Sequence, residues 1–323
     1  MKAYVCRSYG APDVLELADV AKPEPKHNEI LVRVHATSVT SGDRRMRSFD
    51  MPKGMGWIGR LVIGLHGPRQ PILGTELSGV VEAVGSAVTR FAAGDQVFAF
   101  PGGKMGCYAE YVCVAEDGPV APKPAILSHP EAASLCFGGY TALDFLHKAD
   151  VKSGQSILVI GASGGVGTAL VQLASHRGAL VTTVTSAANV ELVRSLGAHR
   201  TFDYGCEDFT KAGVHYDVIF DVVGATSFGA CKAVLAREGK YVAIAGGLGE
   251  MLATLWVPLT GRQRVIAGPA NERVEYIAEL ANLVVTGALK PVIDRIYAFE
   301  SMAEAHEYVD SGRKQGSVVL VLV

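Results

Sequence analysis

The feature that most constrains this chain is a cluster of glycines between an apolar run and an amphipathic helical pattern. In the segment ILVIGASGGVGTALVQLASHRGA, the glycines are Gly161, Gly164, Gly165 and Gly167. The residues before them are continuously apolar and β-branched, which is typical of a strand buried on both faces. The segment therefore predicts a parallel strand, a tight turn and a helix, a unit found in sheets covered by helices on both sides.

Similar strands and helices alternate along the middle of the chain. We predict strands at Ser156–Ala162, Leu180–Thr185, Tyr216–Val223 and Lys240–Gly246, with a further candidate at Arg264–Gly268. Helical patterns lie at His129–His147, Val166–Arg177, Asn189–Leu196, Ser227–Arg237, Glu272–Thr286 and Ser301–Ser311. The alternation predicts an α/β architecture, a parallel sheet with right-handed crossovers.

The N-terminal part has a different character, with short strands separated by Gly and Pro. We predict strands at Glu29–Val39, Gly79–Val88, Asp95–Phe100 and Ala109–Ala115, which indicates a small barrel-like or sandwich domain. A last strand, Ser317–Val323, ends the chain. If that strand returns to the first domain, the nucleotide-binding fold is inserted into a β-rich one.

Composition excludes several classes of partner. The 323-residue chain has a formal net charge of -2 and no long basic or acidic run, so we expect neither nucleic acid nor membrane as a partner. We see no signal peptide and no apolar run long enough to span a bilayer. The 6 cysteines form no CxxC pair, which disfavours a disulfide framework or structural zinc and favours a cytoplasmic location.

The glycine turn has two chemical interpretations. As a dinucleotide site, Gly161 allows the turn, Gly164 and Gly165 let a pyrophosphate approach the backbone, and Gly167 permits close packing of helix on sheet. As the pattern G-x-S-x-G, it would make Ser163 the nucleophile of a hydrolase. A triad would then need an acid and a histidine later in the chain, and the candidates are Asp221 and His306. We favour the dinucleotide interpretation, because the hydrolase leaves Gly167 unexplained.

The end of the second strand indicates which dinucleotide binds. NAD enzymes place an acid there for the ribose 2′-OH, but no acid occurs between Val181 and Val190. Ser186, Asn189 and nearby Arg194 could instead hydrogen-bond a 2′-phosphate, which favours NADPH. The alternative is that Ser186 or Asn189 caps the next helix, and the two roles are compatible.

Several ordered segments resemble a known family. They are GTELSGVVEAVG (74–85), FAAGDQVFAF (91–100), GGYTAL (138–143), GASGGVG (161–167), LVRSLGAHRTFDY (192–204) and YDVIFDVVG (216–224). The chain resembles the medium-chain dehydrogenase/reductase superfamily in its zinc-independent, quinone oxidoreductase-like branch. That resemblance implies a GroES-like domain at 1–123 and 268–323, a Rossmann NADP-binding domain at 124–267, and an active cleft between them.

The resemblance also bears on zinc. The positions that match a ligand Cys and a ligand His of the zinc-dependent alcohol dehydrogenases are Thr40 and Thr75 here. Hydroxyls are not normal zinc ligands, and a four-cysteine structural lobe is absent from the sequence. Without a Lewis acid, reduction of a conjugated acceptor needs less assistance than alcohol oxidation. The resemblance therefore implies hydride transfer to a quinone or enone without zinc.

Site residues carry over from the resemblance position by position. It implies cofactor contacts from Thr141, Gly161, Ser163, Gly164, Gly165, Val166, Gly167, Ser186, Asn189, Arg194, Tyr204, Gly246, Gly247 and Lys314, with Arg313 as the alternative to Lys314. Many relatives have a lysine where this chain has Asn189. Thr40 and Asp43 are the polar candidates for catalysis, although for Asp43 we favour a structural role in bonding a turn. Relatives often have a tyrosine at the position of Phe49.

The segment from Phe49 to Gly74 is rich in apolar residues, and it either packs internally or lines a pocket for an apolar ligand. We therefore predict an NADPH-dependent reductase of quinones or α,β-unsaturated carbonyls with a small hydrophobic substrate. We expect a homodimer formed through sheet edges near Arg264–Gly268. Two alternatives remain at this point, a non-catalytic NADPH-binding protein and the Ser163 hydrolase.

Overall fold

The chain folds into two compact units, seen in a computed structural model that describes residues 1–322 apart from the side chain of Thr260. Unit 1 comprises Met1–Met51, Trp57–Tyr140 and the segment from Glu272 onward, and unit 2 comprises Pro52–Gly56 and Thr141–Asn271. The boundary between the units lies after Tyr140 rather than after position 123. The reason is that the first helix past position 123 packs on strands of unit 1.

The strands and helices have the following bounds. The strands are β1 (Lys2–Cys6), β2 (Leu15–Asp19), β3 (Glu29–Val39), β4 (Leu77–Val84), β5 (Gln96–Ala99), β6 (Tyr111–Ala115), β7 (Val120–Pro122), β8 (Ser156–Ile160), β9 (Leu180–Thr185), β10 (Arg200–Asp203), β11 (Tyr216–Asp221), β12 (Leu235–Ala243), β13 (Arg264–Ala267), β14 (Ile293–Ala298) and β15 (Ser317–Val321). The helices are α1 (Ser41–Ser48), α2 (Gly56–Ile63), α3 (His129–Ala133), α4 (Cys136–Lys148), α5 (Gly165–His176), α6 (Val190–Ser195), α7 (Phe228–Cys231), α8 (Leu248–Thr260), α9 (Glu275–Val285) and α10 (Met302–Asp310).

Unit 2 is built on a parallel sheet with the strand order β10-β9-β8-β11-β12-β13. This is the order of a doubly wound nucleotide-binding fold, so the predicted Rossmann architecture is confirmed. The central strands are fully buried, as their continuous apolar sequences predict, and Leu158, Val159, Ile219 and Phe220 are each 0% exposed. The glycine turn lies at the carboxyl end of β8, which is the edge where such sheets bind ligands.

Unit 1 contains a mostly antiparallel sheet in the order β14-β15-β3-β4-β5-β7, with β6 also paired to β3. The C-terminal strand β15 lies between β14 and β3, antiparallel to β3, so the tail does complete the β-rich unit. Its last predicted residue, Val323, lies outside the described residues. A small additional sheet pairs β1 with β2, and the core is formed by residues such as Ile30, Leu77 and Leu320.

Two helix predictions are wrong. The helix predicted over Ser227–Arg237 ends after one turn at Cys231, and β12 begins at Leu235. Leu235 is 3% exposed and pairs with Tyr216 of β11, so core burial in an extended register overrides the helical pattern. The single helix predicted over His129–His147 is two helices, α3 and α4, separated at residues 134–135.

Three helices, α1, α2 and α8, were not predicted. The segment of α1 has almost no apolar residues, and the apolar residues of α2 and α8 are interrupted by Gly or Pro. No helix within residues 1–322 combines the length and the apolar character needed to cross a bilayer.

Candidate functional site

The glycine turn of unit 2 has the geometry of a tight strand-to-helix connection. Gly161 has φ +80, a conformation that L side chains rarely adopt, and its N–H donates to the carbonyl of Val184 at 3.2 Å. A Cβ added to Gly167 would lie 2.2 Å from the Gly161 oxygen and 2.7 Å from Cα of Ala162. The glycine at 167 therefore lets α5 pack directly against the turn.

The start of α5 leaves room for a ligand. Gly164 is its N-cap residue, and a Cβ added there would meet only the Gly161 oxygen, at 3.9 Å. The first N–H groups of a helix have no partner within the helix and carry a partial positive charge. An uncrowded backbone below such amides fits the pyrophosphate of a dinucleotide, so the residues present agree with the predicted cofactor.

Beside this turn, three polar side chains from neighbouring elements meet. The Ser163 hydroxyl oxygen accepts from Thr185 Oγ1 at 3.2 Å and from Asn189 Nδ2 at 2.9 Å. Asn189 Oδ1 is buried and has no hydrogen-bond partner in the described part of the chain. Ser186 and Asn189 both occupy helix N-cap positions, but neither makes a side-chain cap bond. Capping therefore does not account for these two side chains.

The other residues predicted near the adenosine end are more exposed. Arg194 lies on α6 and forms a 3.0 Å ion pair with Glu191, and the arginine side chain is 56% exposed. Tyr204 follows β10, with 68% of its surface exposed and its N–H bonded to the Thr185 carbonyl. Tyr204 is thus placed at the carboxyl edge of the sheet, next to the strand that carries Thr185.

The residues predicted near the nicotinamide lie on α4 and in the turn between β12 and α8. Thr141 lies on α4 and is 9% exposed. Gly246 and Gly247 follow β12, and Gly247 is the N-cap of α8, where its N–H donates to Glu250 Oε2 at 2.9 Å. A Cβ added to Gly247 would lie 2.5 Å from the carbonyl oxygen of Lys53, so a backbone segment crosses directly over this glycine.

In unit 1, Thr40 and Asp43 form a capping box at the start of α1. Asp43 N donates to Thr40 Oγ1 at 3.0 Å, and Thr40 N donates to Asp43 Oδ2 at 2.9 Å. The two side chains are also bonded directly, with Thr40 Oγ1 at 2.6 Å from Asp43 Oδ2. Asp43 is 0% exposed, and burial raises its pKa to about 6 despite the bonds from Thr40. Asp43 therefore caps the start of α1, and a part for it in catalysis stays a prediction.

Thr75 lies next to Thr40, with a distance of 3.5 Å between the two Oγ1 atoms. The two positions that match zinc ligands in zinc-dependent relatives are therefore brought together. Both residues supply only hydroxyls, which do not suit zinc. Within residues 1–322, no group of three or more His, Cys, Asp and Glu side chains is arranged to hold a metal ion.

A buried carboxylate beside Thr75 was missed by the sequence reasoning. Glu76 is 1% exposed; its Oε1 accepts from the Ser38 hydroxyl and its Oε2 from Phe137 N at 2.6 Å. Burial raises its pKa to about 7, and these two bonds oppose the rise. The only signal was an acid inside the apolar run LGTELSGVV. Its bond to Phe137 holds the first turn of α4, which explains why the helix restarts there.

Lys314, predicted to approach the cofactor phosphates, is partly buried in unit 1. Its Nζ donates to the Gly316 carbonyl at 2.6 Å. Burial lowers its pKa to about 8, while the carboxylates of Glu76 and Asp294 raise it in part. Lys314 is therefore a constrained lysine with acidic neighbours. Its contact with phosphate stays a prediction.

Phe49 ends α1 in the left-handed conformation, with φ 56. Its ring packs on Tyr9 with the centroids 4.7 Å apart, and the Arg60 guanidinium lies 4.1 Å from the ring centroid. The residues of the apolar segment that follows differ in their exposure to solvent. Gly59 is buried, whereas Trp57 and Leu61 are 68% and 60% exposed.

The hydrolase alternative is wrong. The partners of the Ser163 hydroxyl are Thr185 and Asn189, and neither is a base. His306 is 0% exposed and bonds Tyr108, and burial lowers its pKa to about 3. The Asp221 carboxylate is already occupied by the Tyr241 hydroxyl and by backbone N–H groups of residues 223–226.

Comparisons with known proteins agree with this fold. Residues 26–125 match the family model for the alcohol dehydrogenase GroES-like domain, and residues 196–320 match the model for zinc-binding dehydrogenases. Among curated proteins, the chain is 34% identical to a tomato (Solanum lycopersicum) 2-methylene-furan-3-one reductase, over 99% of this chain and 79% of that protein. It is 30% identical to the human quinone oxidoreductase, over 100% of this chain and 98% of that protein.

Solved structures give the same result. The quinone oxidoreductase from Coxiella burnetii superimposes with a TM-score of 0.88 at 30% identity, covering 100% of this chain and 99% of that one. The Escherichia coli quinone oxidoreductase complexed with NADPH matches with a TM-score of 0.83 at 25% identity, covering 100% of both chains. A two-unit fold of this kind with a glycine-rich dinucleotide turn defines an oxidoreductase class. The chain belongs to the medium-chain dehydrogenase/reductase superfamily, in its quinone oxidoreductase-like branch.

Proposed function

We propose that the protein is an NADPH-dependent oxidoreductase that reduces quinones or α,β-unsaturated carbonyls without zinc. The observation that carries this proposal is the uncrowded turn at Gly164, followed by a second strand whose end bears Ser186 and Asn189 but no acid. The names of two relatives support the substrate class, since a quinone and a 2-methylene-furan-3-one both contain a carbonyl conjugated to a double bond.

The chain's own residues bind and orient the reactants. Backbone amides of the turn and of the first turn of α5 hold the pyrophosphate, and Ser186 with Asn189 faces the 2′-phosphate. Thr141, Gly246 and Gly247 border the nicotinamide end. When bound, NADPH supplies the hydride, which goes to the β-carbon of the acceptor.

For the proton, we propose Thr40 with Asp43 behind it. The Thr40 hydroxyl is 2.6 Å from Asp43 Oδ2, and the pKa of about 6 lets a fraction of the Asp43 carboxyls stay protonated near neutral pH. A proton given by Thr40 to the acceptor oxygen is then replaced from Asp43 or from solvent. Thr40→Val should lower kcat while leaving NADPH affinity unchanged, and an unchanged kcat would leave solvent as the donor.

Zinc independence rests on the donor atoms at positions 40 and 75. The Thr40 hydroxyl is already committed to the capping box, and Thr75 supplies a neutral hydroxyl. We expect purified protein to keep its activity after dialysis against a chelator and to contain no stoichiometric zinc by elemental analysis. Stoichiometric zinc whose removal abolishes turnover would contradict this part of the proposal.

The function is tested by following NADPH oxidation with a panel of quinones and enals. We expect turnover with conjugated acceptors and none with saturated ketones. Saturable NADPH binding without turnover of any acceptor would favour a non-catalytic NADPH-binding protein. The observation that favours this second candidate is Phe49, whose ring lacks the hydroxyl that many relatives present at this position.

We further propose a homodimer, located in a reducing compartment such as the cytoplasm. β13 is the last strand in the order of the parallel sheet, and α8 packs beside it. The outward side of α8 is apolar, with Leu255 71% and Leu259 84% exposed. An edge strand next to an exposed apolar helix is suited to a symmetric contact with a second copy. The compartment follows from the cysteines, all of which are free thiols.

A further inference from the structure

An exposed apolar face that the proposed function does not use lies on α2. Trp57, Leu61 and Leu65 are spaced four residues apart, which places them along one side of the helix and its last turn, and Val62 lies beside them. The exposed fractions are 68% for Trp57, 60% for Leu61, 65% for Val62 and 61% for Leu65. We propose that these four side chains, the α2 face, dock on a membrane surface that contains anionic lipids. This inference goes beyond the proposed function and does not rest on it.

The orientation of α2 is the reverse of that of an ordinary surface helix, which turns its apolar side toward the protein. In α2 the buried residue is Gly59. A Cβ added to Gly59 would lie 3.0 Å from Met51 Cγ and 3.2 Å from Cζ of Phe49. The inner side of the helix therefore has little room for a side chain, and the large apolar residues face solvent. A contiguous apolar patch of this kind on a protein surface usually marks a contact site.

The segment that carries the α2 face is bonded to the rest of unit 1. The Tyr9 hydroxyl donates to the Gly64 carbonyl at 2.9 Å. A Cβ added to Gly67 would lie 2.1 Å from the carbonyl oxygen of Arg7, so the two backbones are in direct contact there. The exposed apolar side chains are therefore presented by an anchored helix, as a docking surface requires.

Two guanidinium groups lie at the C-terminal end of the same helix. Arg60 donates to the Leu65 carbonyl, and its guanidinium lies 4.1 Å from the Phe49 ring centroid. Arg69 Nη2 donates to the Leu61 carbonyl at 2.8 Å. A guanidinium has five N–H donors, so one bond to the helix leaves others for a lipid phosphate. Cations beside an exposed apolar helix face are the pattern of a helix that lies in the headgroup region of a bilayer.

The charge of this segment decides between the possible occupants. Residues 51–75 include three Lys and Arg residues and no acid, and the acid just before them, Asp50, is paired with Arg44 at 2.7 Å. A symmetric contact with a second copy would bring the same arginines together, which is unfavourable. An anionic bilayer has the opposite charge, and anionic lipids are enriched on the cytoplasmic side of membranes, which agrees with the proposed compartment. The net charge of -2 for the whole chain conceals this local excess of basic residues.

The first test is co-sedimentation with vesicles of phosphatidylcholine alone or mixed with phosphatidylglycerol. We expect binding to the anionic vesicles to be tighter by about tenfold or more at low salt and to weaken at high salt, because screening removes the charge attraction. Leu61→Glu should weaken binding to the anionic vesicles by about tenfold or more, because it places a like charge in the apolar contact. Val285→Glu is the matched control, at a helical residue that is 65% exposed on α9, and it should bind like the wild type.

The second test shows whether α2 itself enters the membrane. The chain has 2 tryptophans, so Trp256→Phe leaves Trp57 as the only one. Anionic vesicles should shift the emission of Trp57 to shorter wavelength, and brominated acyl chains should quench it, because the indole moves from water into the lipid interface. This variant leaves α2 unchanged, so the test remains decisive if Leu61→Glu fails to fold by circular dichroism.

Three results would overturn the inference. They are no sedimentation with anionic vesicles, sedimentation that a folded Leu61→Glu variant leaves unchanged, and a Trp57 emission that the vesicles do not alter. A lower mass of Leu61→Glu than of the wild type in lipid-free solution would also overturn it, since the α2 face would then be a contact between copies. NADPH oxidation with a water-soluble quinone needs no vesicles, so it tests the proposed function separately.

Discussion

Two buried carboxylates dominate the electrostatics of unit 1 at the scale of single residues. Asp43 and Glu76 are both raised in pKa, first of all by burial. A raised carboxyl pKa means that the folded state prefers the protonated form. The stability contributed by that preference is therefore complete below the unfolded-state pKa and is lost as the pH rises through the folded-state value.

Glu76→Gln should remove most of the pH dependence of stability that Glu76 causes. In the wild type, the contribution of Glu76 to the free energy of unfolding falls between pH 4.5 and about pH 7, by about 3 kcal/mol at most. The amide keeps an acceptor for Phe137 N and cannot ionise. Urea unfolding at both pH values should show a flatter profile for the variant. Glu24→Gln, at an exposed loop position, is the control, and an equally flat profile there would contradict the assignment to Glu76.

Asp43→Ala should remove the capping box at the start of α1. We expect a loss of about 1–2 kcal/mol in the free energy of unfolding, because both the backbone N–H of Thr40 and the Thr40 hydroxyl lose their acceptor. Chemical denaturation measures it. Asp43→Asn, which keeps an acceptor, should recover part of the loss, and equal stability of the two variants would show that the cap contributes little.

Prediction from the sequence succeeded for residues with strong local rules and failed for those defined by tertiary contacts. Gly161 and Gly167 were given roles in the turn that match its backbone, because strand, turn and helix are contiguous. Glu76 was missed, since its importance arises from Ser38 and Phe137, which are distant in sequence. The Ser163–Asn189 contact was missed for the same reason.

Whole elements were predictable where apolar runs were long. β8, β9 and β11 of unit 2 were located to within a few residues by their continuous burial. The start of β12 was misjudged, because the residues from Ser227 to Arg237 have helical periodicity, whereas Leu235 is needed in the core. Periodicity alone does not show which side chains of a segment are buried in the core.

The packing of α5 on its turn can be tested with matched glycine variants. Gly167→Ala would place a Cβ 2.2 Å from the Gly161 oxygen, so backbone must move, and we expect a loss of about 3 kcal/mol. Gly249→Ala, in α8, meets nothing within 4 Å and should be neutral or slightly stabilising. Melting temperatures report both. Similar melting temperatures for the two variants would contradict the tight packing.

At the scale of the whole molecule, the return of β15 to unit 1 was anticipated from a C-terminal β-branched run. The division between the units was placed too early, because nothing in the local sequence of α3 reveals that it packs on β3 and β4. The apolar side of α8 was also not anticipated, as its Pro258 and flanking glycines disfavour a helix prediction.

The proposed dimer gives a prediction at this scale. Leu259→Glu should convert a dimer into a folded monomer, because it places a charge in the apolar contact of α8. Light scattering coupled to size-exclusion chromatography measures the mass. Val285→Glu, at an exposed apolar residue of α9 that is 65% exposed, should remain dimeric. A wild type that is monomeric at all concentrations would contradict the dimer.

The central claim is that the turn at Gly164 binds a dinucleotide, and one variant tests it most directly. Gly164→Ala adds a Cβ that meets only the Gly161 oxygen at 3.9 Å, in a backbone conformation open to alanine (φ -79, ψ 173), so the fold should be retained. The methyl group would occupy the space into which the pyrophosphate fits. We predict an almost unchanged melting temperature and NADPH binding weakened by about tenfold or more, measured by fluorescence titration. A folded Gly164→Ala variant with wild-type NADPH affinity would contradict the account.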